Sequence, residues 1–153
     1  MVQAKTEEFR GERNAGLIDN LTAVWDSSVR TTHHFLAEQD ISALIPQVKT
    51  ALQGIGHLVI AWEGAEPVGF MGIQEHKIEM LFLAPSSIGK GLGREMIKLA
   101  IDRYGAEYVD VNEQNGQAES FYRHMGFRTF RRDETDGQGN PSPILHMRRT
   151  RKS

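Results

Sequence analysis

The stretch Lys77-Ile78-Glu79-Met80-Leu81-Phe82-Leu83-Ala84-Pro85, followed by Ser86-Ser87-Ile88-Gly89-Lys90-Gly91-Leu92-Gly93-Arg94, decides how this chain is read. Its first part has few polar interruptions and predicts a strand over Lys77–Leu83, covered on both faces. Pro85 stops that strand. The alternate glycines 89, 91 and 93 then remove the Cβ atoms that would keep a ligand off the backbone. Behind them Met96, Ile97, Leu99, Ala100 and Ile101 recur at helical spacing, and Gly105 sits where such a helix closes. A helix start offers unpaired N–H groups and the positive end of its dipole. Strand, glycine turn and helix together make an anion cradle suited to a pyrophosphate.

Two well-known pyrophosphate loops do not fit. A Walker loop ends in G-K-[ST], whereas Lys90 lies inside this loop and Gly93 is followed by Arg94 and Glu95. A dinucleotide fingerprint needs a glycine three positions after Gly91, and Arg94 stands there. The bland alternative is a flexible glycine-rich connection.

Upstream, Leu17, Ile18, Leu21, Val24 and Trp25 fall on one helical face. A second helical stretch is expected from about Thr31, with Phe35, Leu36, Ile41, Leu44, Ile45, Val48 and Leu52 on its apolar side. Asp40 is read as an N-cap that divides it, and Pro46 as a further irregularity. Strands are expected over 57–62 and 68–73, joined by a turn at Glu63-Gly64-Ala65-Glu66-Pro67, and a weaker one near Val2–Thr6. Downstream, Tyr108–Val111 reads as a strand, Asn115 as the cap of a helix carrying Ala118, Phe121, Tyr122 and Met125, and Phe127–Phe130 as the start of another strand. Asp136-Gly137-Gln138-Gly139-Asn140 is turn chemistry, and Ile144–Met147 the last strand. The element order gives a mixed α/β (α+β) sheet with helices on its faces.

The 153 residues suit one domain, 1–153, and 39% hydrophobic with 25% charged residues is ordinary globular usage. A net charge of −2 supplies no field for nucleic acid or anionic membrane, so neither is expected as a partner. The basic run Arg148, Arg149, Arg151 and Lys152 is read as a solvated, frayed end. The chain has no cysteine, which excludes disulfides, thiolate metal sites and a cysteine nucleophile. His34, His76 and His124 lack metal-ligand spacing, so no metal is expected. No apolar run is long enough to span a membrane, and residues Met1–Arg10 lack a signal core, so a cytoplasmic location is expected.

The chain resembles the GNAT (GCN5-related) N-acetyltransferases. Leu81-Phe82-Leu83-Ala84-Pro85 and Ile88-Gly89-Lys90-Gly91-Leu92-Gly93 match that family's acetyl-CoA signature, with Ile88 in place of its usual Gln or Arg. A second block, Asn115-Gly116-Gln117-Ala118 then Phe121-Tyr122-Arg123-His124-Met125-Gly126-Phe127, is similar to the family's N-x-x-A…[FL]-Y-x-x-x-G-F stretch. The order and spacing of the two blocks agree with the family, and the resemblance covers nearly the whole chain. Residues 25–36, Val68-Gly69-Phe70-Met71, Val111–Asn115 and Gly139-Asn140-Pro141-Ser142-Pro143 are similar to the YjaB-like branch of small bacterial members.

The resemblance implies a mostly antiparallel sheet splayed between Lys77–Leu83 and Tyr108–Val111. It implies that acetyl-CoA is the acyl donor. Pantetheine would bond the main chain of Leu81 and Leu83, beside Phe82. The diphosphate would sit on the amides of Gly89, Gly91, Gly93 and Arg94, in the loop that includes Lys90 and Leu92. Ile88 is expected to alter affinity more than binding mode. Tyr122 matches the family position near the thioester sulfur, as the acid, and Asn115 the residue that bonds pantetheine or steadies the turn.

Acyl transfer to an amine needs a base or a water chain, because an alkyl ammonium of pKa about 10 costs about 4 kcal/mol to deprotonate at pH 7. Glu79 is the leading candidate, since strand alternation puts it with Leu81 and Leu83 on one side. His33, on the expected substrate wall, is its rival, and Asn112 is expected to face the same gap. The function expected is transfer of acetyl from acetyl-CoA to a primary amine, on a small molecule or a peptide, by direct attack in a ternary complex. Family habit allows a homodimer. A non-catalytic acyl-CoA-binding or sensor protein on the same fold is the alternative, distinguished by binding without turnover. An unrelated nucleotide-binding module would instead prefer ATP or NAD.

Overall fold

The computed structural model describes residues 4–33, 36–136, 139 and 141–150. Strand β1 (Lys5–Glu8) precedes helices α1 (Ala15–Thr32) and α2 (Glu38–Gly54), then strands β2 (His57–Glu63), β3 (Glu66–Gln74) and β4 (Lys77–Leu83). A single 3-10 turn at Pro85–Ser87 leads to α3 (Leu92–Tyr104), β5 (Tyr108–Asn112), α4 (Gly116–His124), β6 (Phe127–Asp133) and β7 (Ile144–Arg149). The strands form one sheet in the order β1-β2-β3-β4-β5-β7-β6. All neighbours are antiparallel except β4 and β5, which run parallel.

Each face of the sheet has its own core. Ile18, Leu21, Val24, Trp25 and Val29 of α1, with Ile41 and Leu52 of α2, pack on Leu58, Ile60 and Phe70. Met96, Ile97 and Ala100 of α3 and Tyr122 of α4 pack on the other face, where they also cover Val109, Val111 and Met147. Burying each such large side chain contributes about 1.5–3 kcal/mol. Local signals set the helix ends. Asn14 caps α1 by accepting the Leu17 N–H at 2.9 Å, and Gly105 closes α3 at φ 63°.

Several expectations change. Thr31 and Thr32 are the last turn of α1 and do not start a second helix. Asp40 is not an N-cap: Ala37 holds that place, and Asp40 accepts the Ala37 N–H from inside the first turn of α2. Acidic side chains suit both positions, because either lets them meet unpaired N–H groups. Pro46 lies within α2 without ending it. Arg148 and Arg149 belong to β7; Arg148 lies over the Tyr108 ring, 5.6 Å from its centroid. In β4, Ile73 pairs with Ile78 while Gly72 pairs with Met80, so Glu79 is an extra residue in a bulge. Ile78 and Leu81 consequently pack against the same core, and simple alternation through Glu79 fails. The expected positions Val2, His34, Phe35, Gly137, Gln138, Asn140, Arg151 and Lys152 lie outside the described residues.

Val109, Val111 and Met147 face α3 and α4, so Asp110 and His146 take the opposite face of β5 and β7. A row of polar contacts crosses the sheet there. Lys77 Nζ donates to Asp110 at 2.7 Å, and the two ring nitrogens of His146 lie 2.7 Å from Asp110 and 2.8 Å from Asp133.

Candidate active site

Only two residue pairs, Lys77↔Tyr108 and Ile78↔Val109, join β4 to β5. On its other edge β4 stays paired with β3 as far as Leu83. The backbone of Glu79–Leu83 therefore meets a widening gap on the β5 side. Two cavities occupy this gap.

The first, about 320 Å³, is mostly apolar. Leu81, Phe82 and Leu83 form its strand wall, and Ala118, Phe121 and Tyr122 of α4 form the other. Its far end is the loop with Ile88, Gly89, Gly91, Gly93 and Arg94. Gly89 and Gly91 adopt φ of 81° and 85°, a region that side chains with a Cβ rarely enter. A Cβ added to either meets no atom within 4 Å, so the concavity in front of them is open. Gly91 is also the N-cap of α3 and offers no side-chain acceptor, which leaves the first amides of that helix for a ligand. These features fit a CoA diphosphate and pantetheine arm. Lys90 is exposed and outside the cavity lining, and the Leu92 side chain is 6% exposed, in the core, also outside that lining.

The second cavity, about 130 Å³, has polar and apolar walls in about equal shares. Glu79, Asp110 and Asn112 line it, and Asn112 also accepts the Gln114 N–H at 2.9 Å. Glu79 is 39% exposed and lies 3.4 Å from Lys77 Nζ. Burial opposes the charge on Lys77, but Asp110 and Glu79 outweigh it and hold the ammonium above its ordinary pKa.

The cavities share His33, Leu81, Phe82, Asn115, Ala118 and Tyr122. Tyr122 is 7% exposed, and burial pushes its phenol well above the ordinary value, so it keeps its proton at neutral pH. Asn115 caps α4, its Oδ1 accepting the Ala118 N–H at 3.1 Å. All the residues singled out in the sequence border the gap except the side chains of Lys90 and Leu92. Asp110, Ser28, Thr32 and Gln117 also line it and were not among the candidate site residues. Asp110 was findable as the outward residue of an apolar strand; the others give no signal.

Among the described residues no helix is long and apolar enough to cross a membrane. The acetyltransferase (GNAT) domain model matches residues 20–150. The chain is 35% identical over 129 residues to the peptidyl-lysine N-acetyltransferase YjaB of Salmonella typhimurium, covering 84% of this chain and 89% of that one. The solution structure of apo YjaB from Escherichia coli superposes with a TM-score of 0.84 at 32% identity, covering 99% of this chain and 100% of that one. The PaiA N-acetyltransferase of Thermoplasma acidophilum, solved with coenzyme A, shares the fold at a TM-score of 0.65 and 21% identity, over 93% of this chain and 98% of that one. With its splayed sheet, glycine cradle and this match over most of its length, the chain belongs to the GNAT acetyltransferase family.

Proposed function

We propose that this protein transfers the acetyl group of acetyl-CoA to a primary amine, with a peptide lysine as the acceptor class, as the name of its YjaB relatives suggests. The observation that carries this reading is the junction, at Tyr122, of an apolar groove and a second cavity that holds the carboxylates Glu79 and Asp110. Such a junction lets donor and acceptor be held together, so that the amine attacks directly. No cysteine is present to carry the acetyl group in between.

Acetyl-CoA supplies an activated acyl group as a thioester. The chain's own groups do the rest. The main chain of Leu81–Leu83 holds the pantetheine arm as an added strand and directs an N–H at the thioester carbonyl. The amides of Gly89, Gly91, Gly93 and Arg94 bind the diphosphate. Tyr122 delivers a proton to the departing sulfur. Glu79 and Asp110 give the acceptor cavity a negative lining that attracts an ammonium. Asn112 and His33 border the acceptor. The whole chain acts as one acetyl-CoA-binding unit in the cytoplasm, and a homodimer is compatible with the reading.

The test is calorimetric titration with acetyl-CoA, CoA, ATP and NAD, followed by turnover of a lysine peptide. Binding of both CoA forms but neither nucleotide, with turnover, is expected. CoA binding without turnover of any amine would favour a non-catalytic acyl-CoA binder, for which Ile88, 40% exposed in place of the usual polar residue, is the motivating feature. No CoA binding would sink both.

A further inference from the structure

A directed hydrogen-bond chain crosses from α1 to α4 where the cavities meet. Asn115 Oδ1 accepts the Ala118 N–H, so the Asn115 Nδ2 group is the one that faces His33 Nε2, at 3.4 Å. The other ring nitrogen, His33 Nδ1, is 2.7 Å from Thr32 Oγ1. That hydroxyl donates its proton to the Ser28 carbonyl at 2.9 Å. A hydroxyl has one proton and an amide NH₂ only donates, so each link has one direction. His33 Nδ1 carries a hydrogen and donates to Thr32; His33 Nε2 has a lone pair and accepts from Asn115. In this arrangement Nδ1 points to Thr32, and Nε2 is the ring nitrogen that faces the junction. The Asn115 contact is longer than the usual limit of about 3.2 Å, so an incoming group displaces it at small cost.

We propose that His33 is the general base that takes the proton of the acceptor ammonium, with Thr32 and Asn115 as positioning residues. This rests on the acetyltransferase reading above. The N–H bond of the acceptor breaks, its electron pair stays on nitrogen, and the proton bonds to His33 Nε2. The neutral amine then forms the C–N bond as the C–S pair leaves with sulfur. Tyr122 protonates that sulfur, and the second proton lost by nitrogen replaces the one Tyr122 gave. The proton on His33 passes to water, so one proton is released for each amide and thiol formed. Glu79 suits this step less well: it is 39% exposed, paired with Lys77 and tied to no group at the junction. Among the described residues, the charged and titratable groups that line the two cavities with His33 include Glu79, Asp110 and Tyr122 on the acceptor side and Arg94 in the groove, with the Phe82 ring at 6.3 Å.

The experiment compares wild type with His33→Gln and Glu79→Gln, full length, on a lysine peptide and on a weakly basic amine that is already neutral at pH 7. For His33→Gln, kcat/KM on the peptide should fall on the order of 100-fold and lose its acid limb, while the weakly basic amine should change by less than about threefold. Because His33 also borders the groove, calorimetric affinity for CoA should change far less than kcat/KM on the peptide, and exogenous imidazole should restore turnover in His33→Gly. Long-range ¹H–¹⁵N spectra of the resting protein should show the Nδ1–H tautomer. Equal loss on both amines, an Nε2–H tautomer, or the selective pattern appearing in Glu79→Gln would each overturn the assignment. A wild type that binds no CoA fails the acetyltransferase reading instead, and calorimetry separates that outcome.

Discussion

The glycine groove and the carboxylate cavity lie on either side of Tyr122, yet they hold ligands by different means. The groove works through main chain: positive-φ glycines, the uncapped start of α3 and the unpaired edge of β4. The cavity works through side chains drawn from α1, β4, β5 and the α4 cap, among them His33, Glu79, Asp110 and Asn115. Backbone recognition suits a donor that never changes. Side-chain recognition suits an acceptor that differs between relatives. Substitutions on the groove side should therefore alter donor binding, those on the cavity side acceptor binding, and Tyr122 the chemistry common to both.

The largest effect is expected at Tyr122, one of the residues that both cavities share. Tyr122→Phe should lower kcat on the order of 100-fold while CoA affinity stays nearly unchanged, as followed by steady-state kinetics and calorimetry. A parallel loss of CoA affinity would mean that Tyr122 belongs to the groove alone. Next, Gly91→Val forces a β-branched residue to φ 85° and fills the cradle. Strain of about 1–2 kcal/mol alone predicts a roughly tenfold weaker CoA Kd or a lower Tm. Unchanged affinity and Tm would break the backbone account of the groove. On the other side, Glu79→Gln should raise KM for a lysine peptide about threefold to tenfold, a charge contribution near 1 kcal/mol, and leave CoA affinity alone. The smallest change is a gain: Ile88→Arg should tighten CoA binding about twofold to fivefold, and added salt should erase the gain.

The same contrast explains what could be read from the chain. The groove was legible because only glycine serves at positions 89 and 91, so its chemistry is written in residue type. The splay between β4 and β5 followed from the family resemblance, and their two-pair ladder agrees with it. The cavity was only partly legible. Asp110, Thr32 and Ser28 are commonplace residues, and only the packing of separate elements brings them together. The facing of Glu79 was not readable from alternation, because a bulge adds one residue to β4, and a period-two pattern does not announce where that happens. Thr32 was assigned to the wrong helix, since the polar stretch after Val29 hides one further turn of α1.

The two-pair seam has a consequence for folding equilibria. A sheet joined across its middle at only Lys77↔Tyr108 and Ile78↔Val109 leaves those amides of residues 79–83 that point away from β3 without a strand partner and open to hydrogen exchange. A ligand that lies along that edge completes the ladder and binds the native state alone. At a free concentration 100 times its Kd it adds about 2.7 kcal/mol to the unfolding free energy. The acyl donor would then act as a structural component as well as a reactant, and the half-life of this protein in the cell would track the supply of its substrate.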